Sequence, residues 1–290
     1  MVKSFFYSLI IISVFVFLGC NQGENSNKSI PNTKNHEEET VTYSLLEIGQ
    51  QTIKVNEIPV DIIVPDGEAK GDLMILPGWN LTPDQWCKNS DLCTKALAKG
   101  YRLILPEMGL SVYASNYFPQ TRMDWINAPT GTWLTDTLIK HLQNKYGILL
   151  PTKKNFIIGL STGGRGVVMT ALKTAKLFKA GASLSGDFDQ ALTPYDNIMA
   201  GFYGDYETHK DLWATVDNPA HDAASLQVPM YLGHGLNDAV VPSNQTKIFY
   251  ETLKKTNPKL KVILHISETG LHDFKYWNSE VDAALNFFEQ

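Results

Sequence analysis

The 290-residue chain is 43% hydrophobic and carries a formal net charge of −5, enough apolar material for one sizeable core. It contains no Lys/Arg-rich run, which excludes the basic footprint of a nucleic-acid binder. Its three cysteines show no Cys-x-x-Cys or Cys/His ligand spacing, so no metal site is expected.

The chain opens on a short positive start ending at Lys3, an apolar stretch over 5–18 and a small-residue pair, Gly19-Cys20. That order predicts a signal peptide over 1–19, because the apolar run falls short of the ~20 residues a membrane span needs. The stretch Phe17-Leu18-Gly19-Cys20 resembles the lipobox of bacterial lipoproteins, with Phe17 where leucine is usual. The resemblance implies export to the periplasm or cell surface and a lipid anchor on Cys20. Residues 20–39, rich in Asn and Glu and nearly devoid of apolar side chains, read as a polar tether. A catalytic domain is expected over 40–290.

Within that domain, 40–55 and 59–64 read as two strands closed by Pro65-Asp66-Gly67, an antiparallel opening. The pattern then alternates. Strands are expected at 73–78, 101–107, 155–161, 180–186, 229–235 and 261–267, and helices at 91–100, 132–147 and after Ser161. The fold class is therefore α/β: a mainly parallel twisted sheet, helices on both faces, and an antiparallel N-terminal edge. Two long connections, 108–130 and 187–227, are rich in aromatic residues, most of which should pack the inserts onto the body while some line a cleft. Cys87 and Cys93 form an even pair that invites a disulfide if Ser90 caps the helix that follows; two buried free thiols are the alternative.

The most telling stretch is Gly159-Leu160-Ser161-Thr162-Gly163, where an apolar strand should turn into a helix. A serine hydroxyl becomes a nucleophile only when exposed at such an elbow and served by a base. Among seven histidines, His272 follows the last strand in a loop and can swing toward the elbow, whereas His36, His141, His209, His221 and His265 sit in tether, helix, insert or strand positions. Asp238, after the strand ending at Gly235, is the expected orienting acid, with Asp187 and Asp189 in reserve. An oxyanion hole requires two N–H donors. Thr162 supplies one and Trp79, after Gly78, the other, with Asn80 as the alternative; Gly78 is read as allowing an unusual backbone there. Arg165, after the elbow, is left out of the site and its role open, a cap on the helix surface being one reading.

The order of PGWN loop, GLSTGG elbow, SLSGDFD, GHGLNDAVVP and GLHDFKYW resembles the α/β-hydrolase superfamily, and within it the esterase D-like esterases, which include S-formylglutathione hydrolases and feruloyl esterases. The chain departs from the common His-Gly of the oxyanion loop, having Pro77-Gly78. The resemblance implies a serine esterase acting through an acyl-enzyme on Ser161 upon small or carbohydrate esters, such as feruloyl groups, with neither metal nor other cofactor. Three other readings stand beside it: a serine peptidase resembling the prolyl oligopeptidase branch, a non-catalytic hydrolase-fold binding module, and a metal hydrolase built on His234, Asp238 and His272.

Overall fold

A computed structural model describes residues 42–290. The expected signal peptide (1–19), the tether (20–39) and Cys20 with its lipid lie outside the described residues. The core is an eight-stranded sheet in the order β1-β2-β4-β3-β5-β6-β7-β8. Strands β1 (Gly49–Val55), β2 (Ile58–Val64) and β4 (Tyr101–Pro106) are linked antiparallel. From β4 through β3 (Gly71–Leu76), β5 (Asn155–Leu160), β6 (Ala180–Leu184), β7 (Met230–Gly235) and β8 (Val262–Ser267) the sheet is parallel. The opening strand is shorter than expected, since 42–48 do not join the ladder. Its hairpin turns through Asn56 and Glu57, both at positive φ, as a two-residue turn matched to strand twist requires.

Strands β3, β5, β6 and β7 are buried along their whole length, the signature of a sheet covered on both faces. Alternate side chains feed two cores. Met74, Leu76, Ile104, Ile157 and Leu232 pack with α3 (Ile139–Tyr146), α4 (Thr162–Lys173) and α7 (Asn244–Thr256). Leu73, Ile75, Leu103, Ile158 and Leu184 pack with α1 (Gln85–Asn89), α2 (Leu92–Ala98), α8 (Phe274–Ser279) and α9 (Val281–Phe288) on the other face. The helix expected over 132–147 begins as π-helical turns, Trp133–Leu138, before α3. Cys87 and Cys93 are disulfide-bonded with Cα atoms 5.1 Å apart. Cys87 lies inside α1 and not in a loop, so the bridge ties two short helices together.

The two long connections pack on each other. Trp125 of the first meets Phe202 of the second, and Phe118 meets Tyr203, in a third apolar cluster with Val112, Met199 and Trp213. The second insert is partly helical, with α5 (Asn197–Tyr203) and α6 (Lys210–Thr215). Arg122 N–H donates to Gly201 O at 2.8 Å and Thr121 Oγ1 to Phe202 O at 2.9 Å. Gly201 is required there: a Cβ would stand 2.1 Å from the Trp125 ring. Most of the aromatic residues thus serve packing, while Tyr195 is exposed.

Candidate active site

The loops after β3, β5, β7 and β8 meet at the carboxyl edge of the parallel sheet, where ligands of open α/β folds bind. Strand β5 ends at Leu160, α4 begins at Thr162, and Ser161 between them holds φ 53°, ψ −127°. Such a conformation costs a non-glycine residue on the order of 1–3 kcal/mol and persists only where the surroundings enforce it. Here they do. Ser161 N–H donates to Leu184 O at 2.8 Å, and the helix start lies so close to β3 that a Cβ on Gly163 would be 2.5 Å from both Leu76 O and Pro77 O. A Cβ on Gly159 would lie 2.3 Å from Gly163 O. The glycines of the motif are therefore dictated by close approach of backbones.

His272 leaves the loop after β8 and points its imidazole at the elbow. Its Nε2 lies 3.0 Å from Ser161 Oγ and its Nδ1 2.7 Å from Asp238 Oδ2. A carboxylate only accepts, so Nδ1 carries the proton and Nε2 is left to accept from the serine hydroxyl. The Trp277 ring packs edgewise on the imidazole at 5.1 Å. Asp238 follows β7, and its Oδ1 accepts the N–H groups of Val240 (2.9 Å) and Val241 (2.8 Å). Burial works to raise the Asp238 pKa, but hydrogen bonds from His234, His272 and the backbone outweigh it and hold the carboxyl well below the usual range. The acid is therefore ionised at any working pH.

The loop after β3 is fixed from several sides. Trp86 Nε1–H donates to Leu76 O (3.2 Å), the Tyr113 hydroxyl to Pro77 O (2.7 Å), and Asn80 N–H to Gly109 O (2.8 Å). The last bond removes Asn80 as an oxyanion donor. The N–H groups of Trp79 and Thr162 donate to no acceptor among the described residues. The Trp79 ring packs on Trp125 (4.8 Å) and Phe202 (6.2 Å), so both inserts brace this loop. Gly78 earns its place by space and not by an unusual backbone: it is absent from the positive-φ residues, and a Cβ would meet Leu160 Cδ1 at 2.8 Å and Ser161 Cβ at 3.2 Å.

Ser161, His272, Trp79 and Thr162 open onto a cavity of about 520 Å³ walled by Leu81, Ile198, Met199, Phe274 and Trp277. The reserve acids are engaged elsewhere. Asp187 pairs with Arg165 at 3.0 Å, and Asp189 caps a short turn and accepts from Asn218. Arg165 is no surface cap. It is fully buried and joins Asp187, Gln190 (3.1 Å), Tyr203 Oη and Asp217 O, tying α4 to the second insert. Burial opposes its charge, yet Asp187, Tyr203 and Asp217 around it raise its pKa above the usual value. Burial pushes the Asp187 carboxyl up, with Arg165 opposing. Among the other histidines, His265 pairs with Glu280 (2.8 Å), His141 lies on α3, and His209 and His221 stay with the second insert. His234 does reach Asp238, but through a ring N–H, so the His234–Asp238–His272 grouping is held by protons.

Sheet order, elbow and site define an α/β-hydrolase, and the protein is a serine hydrolase. The prolyl oligopeptidase family model matches residues 135–290, just over half of the sequence, and the chain belongs to that family. No curated protein shows significant sequence similarity to it. Among solved structures, the fluorophosphonate-binding serine hydrolase FphF of Staphylococcus aureus is similar at TM-score 0.65 and 17% identity, over 83% of this chain and 97% of that one. An S-formylglutathione hydrolase from Agrobacterium tumefaciens aligns at TM-score 0.65 and 13% identity, over 82% and 92%. The acylaminoacyl peptidase of Pyrococcus horikoshii aligns at TM-score 0.61 and 17% identity, over 84% of this chain and 41% of that one.

Proposed function

We propose that the protein is an exported serine esterase that hydrolyses carboxylic esters through an acyl-enzyme on Ser161. The observation that carries this reading is the hydrogen-bonded series Ser161 Oγ, His272 and Asp238 Oδ2, with steps of 3.0 and 2.7 Å, at the cavity floor. In the proposed reaction His272 Nε2 takes the hydroxyl proton as Oγ attacks the ester carbonyl, and Asp238 stabilises the imidazolium. The N–H groups of Trp79 and Thr162 serve the oxyanion. The alcohol departs with the proton from His272, and water, activated by the same nitrogen, releases the acid.

Export rests on the leader and the lipobox-like sequence ending at Cys20. Glutathione thioesters belong to the cytosol, so an extracytoplasmic enzyme is better matched to small esters or to acyl and feruloyl groups on carbohydrates. The aromatic walls at Trp79, Phe274 and Trp277 suit a planar acyl group. Membership of the prolyl oligopeptidase family supports a second reading, hydrolysis of peptide amides at the same serine.

Hydrolysis of p-nitrophenyl acetate by the purified protein should fall at least about a thousandfold in Ser161→Ala. Equal turnover by the two proteins would remove Ser161 from the mechanism. A panel of acetyl, butyryl and feruloyl sugar esters against peptide anilides separates the two readings, with preference for the anilides favouring a peptidase.

A further inference from the structure

Asp238 is met by more donors than the orientation of one imidazole requires. Its Oδ1 is occupied by two backbone N–H groups. Its Oδ2 receives His272 Nδ1–H at 2.7 Å and also faces His234 Nε2 at 3.3 Å. His234 lies on β7 and is fully buried. The same Nε2 stands 2.9 Å from Val241 O. Carboxylate and carbonyl oxygens only accept, so Nε2 must carry a proton, which is donated to Val241 O with Asp238 Oδ2 as its second, longer contact. On the other side of the ring Nδ1 meets the Thr246 hydroxyl at 2.6 Å, which fixes the ring plane from α7.

We infer that His234 is a positioning residue for the reaction: it binds Asp238 and the turn through Val241 into one unit, and tempers how strongly the carboxylate holds His272. This rests on the proposed roles of Ser161, His272 and Asp238. The physical reason is competition. Two ring N–H groups face one oxygen, at 2.7 and 3.3 Å, and removing the more distant one leaves more electron density for the other. The carboxylate without His234 should favour the imidazolium more and swing more freely. The other titratable groups packed around the pair are Asp273 at the start of α8, Tyr276 on α8, and Glu280, which pairs with His265 and Tyr231. Asp187 and Asp196 stand across the cavity. All of these groups are retained in the variants below.

The test is the pH profile of kcat/KM for p-nitrophenyl acetate in wild type, His234→Leu and His234→Gln. In His234→Leu the acid limb should move to higher pH by about 0.5–1 unit, and kcat should fall about tenfold with KM within twofold. His234→Gln returns an N–H near the Nε2 position and should recover most of both effects. A folded His234→Leu with an unmoved limb overturns the inference, as does equal impairment of the Leu and Gln variants. Should His234→Leu fail to fold, Thr246→Val reports instead: it unseats the ring from Nδ1 and should shift the limb in the same direction by less, and an unmoved limb there overturns the inference. Retained hydrolysis in Ser161→Ala would instead overturn the parent reading.

Discussion

Ser161 is held at φ 53° because every neighbouring backbone is already in place: Leu184 O takes its N–H, and Gly163 lets α4 close onto Leu76 and Pro77. Gly163→Ala should therefore cost about 1–3 kcal/mol by overpacking against carbonyl oxygens that cannot retreat, measurable as a lower midpoint of urea unfolding. Asp238 adds a pH signature at the same scale. Its folded pKa lies below its unfolded value, so its contribution to stability is complete above about pH 4 and is lost as pH falls toward the folded value. Acid unfolding followed by circular dichroism should show this loss in wild type, and Asp238→Asn should flatten it. That Ser161, His272 and Asp238 would meet at one sheet edge was legible in the sequence, because each follows a strand whose end is marked by turn residues. Arg165 and His234 were not. A buried arginine looks like a surface one until its partners, Asp187, Gln190, Tyr203 and Asp217, arrive from 22 to 52 residues away.

At the scale of elements, Arg165 is the joint between α4 and the second insert. Removing one partner of a buried pair strands the other charge in a poorly solvated place, at a cost of about 3–5 kcal/mol. Arg165→Met should lower stability by that order, and Arg165→Met with Asp187→Leu should recover much of it, because no buried charge is then left alone. Thermal unfolding of the single and double variants measures the difference. The inserts were recognised as long aromatic connections, but their mutual packing was hidden, since Trp125 meets Phe202 only through the tertiary fold. The same packing braces Trp79, one of the two proposed oxyanion donors. Strand β1 begins later than its β-branched composition implied, because 42–48 have no partner strand to pair with.

Across the whole molecule, the sheet places the edge that carries Ser161 between two separately packed cores, and the disulfide staples the side that carries α1 and α2. Closing a loop with a sequence separation of 6 limits the unfolded chain by about 2 kcal/mol. Cys87→Ala with Cys93→Ala should lower the urea midpoint accordingly while the m-value stays near that of the intact protein. Trp86, next to Cys87, donates to Leu76 O and packs on Phe274, so a loss of activity beyond the loss of stability would show that α1 also holds the cavity wall. By itself the sequence determined the class of sheet, the order of strands and helices along the chain and the three side chains at its strand ends, because hydrophobic period and turn chemistry are local properties; the order of strands across the sheet came from the structure. Only the tertiary structure decided which N–H groups near Ser161 remain free, that Gly78 and Gly163 serve closeness, and that Arg165 and His234 are buried. Those facts depend on which distant backbones and side chains meet, and no local pattern encodes that meeting.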